Sequence, residues 1–282
     1  KVLDFKAPKY AHVAPIMKEE NGGKRKLSKR KDPEATVSYY AEAGYPKDSV
    51  IEYMLTLANS NFEDWRKVNK DAPADDFPFN LKKMSVSGAL FDMVKLHDIS
   101  KTYISTMNTE EVFDAVTAWS AEYDSELNSL IMRDTDYAKS IFSIERGNKK
   151  PRKDIGKWSE VKDYIAYFYD ELFDGNLGWA ENIADADKKA ILTAYLEKYD
   201  HKASQEDWFP TVQALAEELG FAKSPKDYKA DPDAFKGHAG DVAGVIRVAV
   251  TGRLNTPDLY SIMQTLGDAK VRERINSAIE KL

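Results

Sequence analysis

The sequence predicts a mainly α-helical fold with a short β element at its start. Three observations carry this expectation. From residue 46 onward apolar side chains recur at three- and four-residue spacing, cap and stop residues bracket several of these stripes, and alternating strand patterns nearly vanish after about residue 30. Tyr10 to Met17 (YAHVAPIM) is apolar and β-tolerant and leads into the turn signal Asn21-Gly22-Gly23, so a short strand entering a loop is expected there. Pro46 suits a first helical position, and Val50, Ile51, Met54, Leu55 and Ala58 then share one helix face. No helix continues through Asp71-Ala72-Pro73-Ala74-Asp75-Asp76-Phe77-Pro78, because proline lacks an amide donor and fixes φ.

Further on, Leu90, Phe91, Val94 and Leu96, then Ile99, Tyr103 and Ile104, read as consecutive short helices. Thr109 reads as a helix cap, with Glu110 and Glu111 favoured by the positive end of the dipole. The stripe Val112, Val116, Trp119, Tyr123, Leu127 and Leu130 predicts one long amphipathic helix. Helices are also expected at Val161, Tyr164, Ile165, Phe168 and Leu172, at Ile191, Leu192, Tyr195, Leu196 and Tyr199, and at Val212, Leu215, Ala216 and Leu219, the last stopped by Gly220. Near the end, Thr256 reads as a cap, Pro257 as a first-turn residue, Leu259, Ile262, Met263 and Leu266 as a buried face, and Gly267 as the stop.

Composition narrows the function classes. A chain of 282 residues that is 43% hydrophobic has enough apolar material for about two packed domains. It has no cysteine, which excludes a disulfide framework, a thiolate metal site and a cysteine nucleophile, and fits a cytoplasmic location. No uncharged apolar run reaches the ~18 residues that a membrane span needs, and Lys1-Val2-Leu3-Asp4 is not the core of a signal peptide. Because the chain opens on Lys1 in what reads as mid-domain sequence, it is expected to be part of something longer.

A formal charge of −6 argues against binding nucleic acid through the overall field, but local charge decides what a phosphate feels within a Debye length of about 8 Å. Lys24, Arg25, Lys26, Lys29, Arg30 and Lys31 put six positive charges into eight residues, leaving −12 for the rest of the chain. A second basic stretch, Arg146 to Lys157, holds Lys149, Lys150, Arg152 and Lys153; Gly147, Pro151 and Gly156 make it an exposed connector rather than a helix. A solvated surface is the plain alternative reading of both runs. Other chemistry is thin. His12, His97, His201 and His238 are scattered without metal-ligand spacing, and no protein-bound zinc is expected. Gly237, Gly240 and Gly244 match no phosphate-binding fingerprint. Neighbouring acids such as Asp75-Asp76 and Glu217-Glu218 do not converge on one atom, and Phe168, Tyr169 and Phe173 suit a core.

Lys26-Leu27-Ser28-Lys29-Arg30 is the exception. Two lysines three residues apart flank a serine on a loop that follows a strand and a glycine turn. Such ammonium groups can swing onto a polyphosphate and neutralise charge developing on leaving pyrophosphate. The pentad resembles the K-M-S-K-S loop of class I aminoacyl-tRNA synthetases, in the K-L-S-K-R form of bacterial-type glutamyl-tRNA synthetases. Other stretches resemble that family in the same order: Ala11-His12-Val13-Ala14-Pro15-Ile16-Met17, Gly44-Tyr45-Pro46 with the helix Ile51 to Ala58, and Phe91-Asp92-Met93-Val94-Lys95-Leu96 as F-D-x-x-K-L. Ile246 to Gly252, followed by Thr256-Pro257-Asp258-Leu259 and Leu266-Gly267, is similar to the family's last anticodon-binding domain.

The resemblance implies the C-terminal portion of a glutamate–tRNA ligase: the tail of a Rossmann-type catalytic domain with its loop (1–31), a helical stem-contact domain (32–106) and two all-α anticodon-binding domains (107–183 and 184–282). It implies Lys29 as the ATP-phosphate contact with Lys26 and Ser28 as catalytic loop partners, and Arg247, Thr256, Pro257, Leu259 and Arg152 as anticodon contacts. Single-stranded loop bases offer edges that a guanidinium, a hydroxyl and small apolar groups can read. The implied small molecules are ATP with Mg²⁺ and glutamate. The implied RNA is tRNA(Glu), with tRNA(Gln) left open as a second acceptor, and the implied state is a monomer. The family's H-I-G-H-type motif is not in this sequence, and His12-Val13-Ala14-Pro15 does not replace it, so this polypeptide alone is not expected to activate glutamate. A non-catalytic tRNA-binding module and a helical protein–protein scaffold are the alternatives.

Overall fold

The computed structural model describes residues 6, 10, 12–70 and 72–282; the expectations that touch Lys1 to Asp4, Ala11 and Asp71 lie outside the described residues. The chain forms two compact units, one of residues 1–107, 118–125 and 153–161 and one of residues 108–117, 126–152 and 162–282.

In the first unit β1 (Met17–Glu20) and β2 (Gly23–Lys26) form an antiparallel hairpin in which Met17 faces Lys26 and Lys18 faces Arg25. Asn21 (φ 51°) and Gly22 (φ 78°) adopt the left-handed conformation that a two-residue hairpin turn requires. The strand is therefore shifted downstream of the apolar run expected to form it. Pairing extends outward from the turn, one further bond joins Leu27 N to Ile16 O (2.9 Å), and Pro15 then offers the ladder no donor.

Helices α1 (Val37–Ala43), α2 (Lys47–Ala58), α3 (Phe62–Val68) and α4 (Met93–Thr106) complete most of this unit. Tyr40, Tyr45, Tyr53, Phe91 and Leu96 make its core, onto which Ile16 and Leu27 pack from either side of the hairpin. Pro46 is the residue before α2 rather than its first helical residue. α4 is one helix where two were expected. Asp92 caps it by accepting from Val94 N (2.8 Å) and Lys95 N (3.2 Å), no breaker follows, and Leu90-Phe91 is extended, with Phe91 N bonded to Met17 O (2.7 Å). Gly44 ends α1 at φ 83°, and a Cβ there would lie 2.9 Å from Trp158 Cβ, so both conformation and space require glycine.

α5 (Thr109–Tyr123), α6 (Ser125–Arg133) and α7 (Thr135–Ser143) follow. The cap of α5 is Asn108, not Thr109: its side chain accepts from Glu111 N (3.0 Å) while Glu111 accepts from Asn108 N (2.7 Å). The long helix expected through Leu130 is broken at Asp124, a residue type that competes for backbone donors. The stripe from Val161 yields only one α turn, α8 (Val161–Tyr164), between tighter turns at 158–160 and 166–168. Ile165, Tyr167, Phe168 and Tyr169 are all buried, more directions than one helix face can serve.

The rest of the second unit holds α9 (Asp185–Lys198), α10 (Gln205–Glu218), α11 (Pro225–Ala230), α12 (Ala239–Thr251), α13 (Leu259–Leu266) and α14 (Asp268–Lys281). α12 is central and apolar almost all round, burying Val242, Ile246, Val248 and Val250 against α9, α10 and α14. Gly220 stops α10 as expected at φ 83°. The cap of α13 is Asp258, which accepts from Ser261 N (2.8 Å), rather than Thr256, and Leu266 is only half-buried. No helix among the described residues is long and apolar enough to cross a membrane.

One buried polar chain pins this core: Trp208 Nε1 donates to Tyr195 Oη (2.9 Å), and that hydroxyl donates to Met263 Sδ (3.5 Å). Burial pushes the Tyr195 hydroxyl well above its usual range, so it stays a neutral donor. Tyr195→Phe strands the indole N–H, and urea unfolding should show a loss of about 1–3 kcal/mol with unchanged m-value.

Candidate nucleic-acid interface

The first candidate feature is the basic segment in the first unit. The hairpin register sets Lys18 opposite Arg25, an unfavourable pair of like charges. The buried carboxylate of Asp32 resolves it. Asp32 accepts from Arg25 Nη1 (2.6 Å) and Nη2 (2.7 Å), from Lys18 Nζ (3.2 Å) and from the backbone N–H of Ser28 (2.8 Å). Lys18 also donates to Glu34, and Arg25 Nε lies 2.9 Å from Glu20 Oε2. Paired first of all with Arg25, the Asp32 carboxyl is held far below the usual carboxylate range.

Residues 28–32 consequently form a tight turn, with Lys31 N and Asp32 N both donating to Ser28 O (3.0 and 2.8 Å). Leu27 points into the core while Lys24, Lys26, Lys29, Arg30 and Lys31 are exposed and make no ion pair among the described residues. Three of the six cations, Lys24, Arg25 and Lys26, lie in β2 rather than in a loop. Ser28 and Lys29 are thus carried on a turn whose base is fixed, Lys26 ends β2 just before it, and both ammonium groups reach solvent.

The second feature lies in the second unit, where α12 ends at Gly252 and α13 begins at Leu259. Arg247 reaches across this turn. Its Nη1 donates to the carbonyls of Pro257 (2.7 Å) and Thr256 (3.3 Å) and to the Thr256 hydroxyl, which itself donates to Pro257 O (3.0 Å). Burial pulls the Arg247 guanidinium below its ordinary range, an effect that Asp258 opposes, and an arginine remains charged at neutral pH regardless. Its Nε and Nη2 have no hydrogen-bond partner among the described residues. Thr256, Pro257 and Leu259 are buried, Leu259 as part of the core beneath α13. Arg152 is half-exposed and donates from Nη2 to Asn255 Oδ1 (3.3 Å).

The structure therefore brings Arg247, Thr256, Pro257 and Arg152 to one turn, with Leu259 supporting it from below. Sequence reasoning missed the acidic residues that hold these cations. Asp32 follows the basic run directly, and Glu145 and Asp258 frame the second turn: Glu145 Oε2 accepts from Asp258 N (3.0 Å) and lies 3.8 Å from Arg152 Nε. Asp258 just ahead of an apolar stripe was a readable cap signal; Glu145 carried none. His238 caps α12, and no cluster of three metal-ligating side chains occurs among the described residues.

Comparison with known proteins bears on both features. Residues 232–279, which include Arg247 and the 256–259 turn, match a family model described as an anticodon binding domain. The chain is 49% identical over 97% of its length to a glutamate–tRNA ligase of Clostridium perfringens, covering 51% of that protein, and 46% identical over 97% to one from Acetivibrio thermocellus, covering 50%. It shares the fold of a glutamate tRNA ligase of Elizabethkingia meningosepticum solved by crystallography, with TM-score 0.59 and 22% identity over 99% of this chain and 52% of that one. The chain spans about half the length of the curated relatives it matches.

The Asp32 anchor makes a pH prediction. A depressed carboxyl contributes stability that is complete above the unfolded value of about 4 and is lost as pH falls through the lower folded value. The Ser28 amide, followed by hydrogen exchange, should stay protected down to about pH 4 and lose protection only in stronger acid; in Asp32→Ala it should be unprotected throughout.

Proposed function

We propose that this chain is the tRNA-binding, C-terminal portion of a glutamate–tRNA ligase. The whole protein would convert ATP, L-glutamate and tRNA(Glu) into glutamyl-tRNA, AMP and diphosphate. The single observation that carries the reading is 49% identity along nearly the whole chain to such a ligase, joined to the anticodon-binding match over 232–279. The proposed division is a catalytic remnant (1–31), a stem-contact part (32–106) and two anticodon-binding parts (107–183, 184–282).

In this reading Lys29 contacts the ATP phosphates and Lys26 and Ser28 complete the loop, stabilising negative charge as pyrophosphate departs. Magnesium would arrive bound to the triphosphate and would help neutralise its charge. Arg247, with one nitrogen spent on the 256–257 carbonyls, presents the rest of its fork to the edge of an unstacked base. Thr256, Pro257 and Leu259 fix where that fork lies, and Arg152 adds a second guanidinium beside it. The compartment is the cytoplasm, the protein is a monomer, and tRNA(Gln) is a second acceptor to be tested alongside tRNA(Glu).

Filter binding at fixed salt should show preference for tRNA(Glu) over an anticodon-altered transcript. Arg247→Ala should remove about 1–3 kcal/mol of that preference, whereas Lys26→Ala/Lys29→Ala should leave it intact. No binding at low salt would favour a helical scaffold instead, and equal binding of both transcripts would contradict anticodon reading. Glutamate-dependent ATP–pyrophosphate exchange is expected from the full-length ligase and not from this 282-residue polypeptide.

A further inference from the structure

The connector between α7 and the 158–160 turn is built more deliberately than its charge alone suggests. Glu145 sits at φ 55°, a left-handed conformation uncommon for a residue with a side chain, and Gly147 follows at φ 80°. Such a backbone persists only where its surroundings hold it. Here the holding groups are visible at both ends: the Glu145 carboxylate accepts from Asp258 N (3.0 Å), and Arg152 Nη2 donates to Asn255 Oδ1 (3.3 Å). Arg146 is folded back, donating from Nε to Phe142 O (2.9 Å). Residues 147–150 form the projecting tip, with Lys149 and Lys150 exposed and without an ion-pair partner among the described residues.

Both ends of a lysine-tipped loop are thus tied to the same 255–258 segment that receives Arg247. We propose that this loop is a phosphate clamp: Lys149 and Lys150 grip the sugar-phosphate backbone of the RNA whose bases meet Arg247, and Glu145 is the positioning residue that holds the clamp in register with that turn. The proposal rests on the RNA-binding reading above. It divides labour by chemistry, since ammonium groups are compact point charges suited to phosphates and carry no base preference, while the guanidinium fork is suited to base edges.

The test measures the salt dependence of tRNA(Glu) binding by the 282-residue chain, with the anticodon-altered transcript in parallel. For Lys149→Ala/Lys150→Ala, the slope of log K against log salt should become shallower by about 1.4, two phosphate contacts at the single-strand value, with the ratio between the transcripts unchanged. Glu145→Gly suits the left-handed backbone and should keep the wild-type melting temperature, yet show the same shallower slope with both lysines present. Glu145→Gln retains an oxygen for Asp258 N and should restore the wild-type slope. An unchanged slope in the double lysine variant overturns the clamp, and an unchanged slope in Glu145→Gly overturns the role of Glu145, in both cases with the anticodon preference of the wild type standing. Absence of that preference in the wild type overturns the underlying reading as well.

Discussion

A single guanidinium group closes the turn on which the candidate interface depends. Arg247 projects from α12, the most deeply packed helix of its unit, and binds the carbonyls of Thr256 and Pro257 just before α13 begins. A half-buried cation of this kind has lost part of its hydration, and the backbone oxygens compensate for that loss. The turn cannot move without uncovering the charge, and the charge cannot swing out without giving up its bonds to the Thr256 and Pro257 carbonyls, the second of which would keep only the Thr256 hydroxyl. Because α12 is gripped by α9, α10 and α14, the remaining donors of Arg247 are fixed relative to the core of the unit. A group that is to distinguish one base edge from another needs such fixed placement, since misplaced donors read nothing.

The two basic segments share a second principle. Each ties some of its cations to other groups of the fold and leaves some lysines exposed with no ion pair among the described residues, Lys26, Lys29 and Lys31 in the one and Lys149 and Lys150 in the other. In the hairpin, Asp32 takes up Arg25 and Lys18, which face one another across the strands, and so fixes the base of the turn that follows Lys26 and carries Lys29. In the connector, Glu145 holds the start and Arg152 the end, and Lys149 and Lys150 stay at the tip. Counted along the sequence these cations are equivalent; in the fold they separate into anchored and exposed ones. An anchored loop also pays less ordering entropy when it meets an anion, which is the advantage of building the base rigid and the tip bare.

Much of this architecture could be read from residue spacing. The helix stripes after residue 46, the stops at Gly220 and Gly267 and the non-helical basic connector follow from periodicity and turn chemistry that act locally. The caps at Asn108 and Asp258 and the break at Asp124 were misread locally; the larger misreadings concern how segments pair and pack. The first strand starts at Met17 because the Asn21-Gly22 turn sets its register, and Leu90-Phe91 is extended because it pairs with Met17 rather than starting a helix. Ile165, Tyr167, Phe168 and Tyr169 are all buried, a condition no periodicity reveals. At the candidate sites the cations were legible by type, but Asp32 and Glu145 were not, since a lone acid beside a basic run looks like dilution of charge until the fold shows what it grips. Thr256, Pro257 and Leu259 were legible as a group, and their burial beneath Arg247 required the coordinates.

Chemical footprinting of tRNA(Glu) bound to this chain addresses the central claim most directly. The account predicts protection of the anticodon bases together with backbone riboses next to them, with base protection lost in Arg247→Ala while backbone protection persists. Protection confined to other parts of the RNA, or an anticodon left as reactive as in the free transcript, would contradict it.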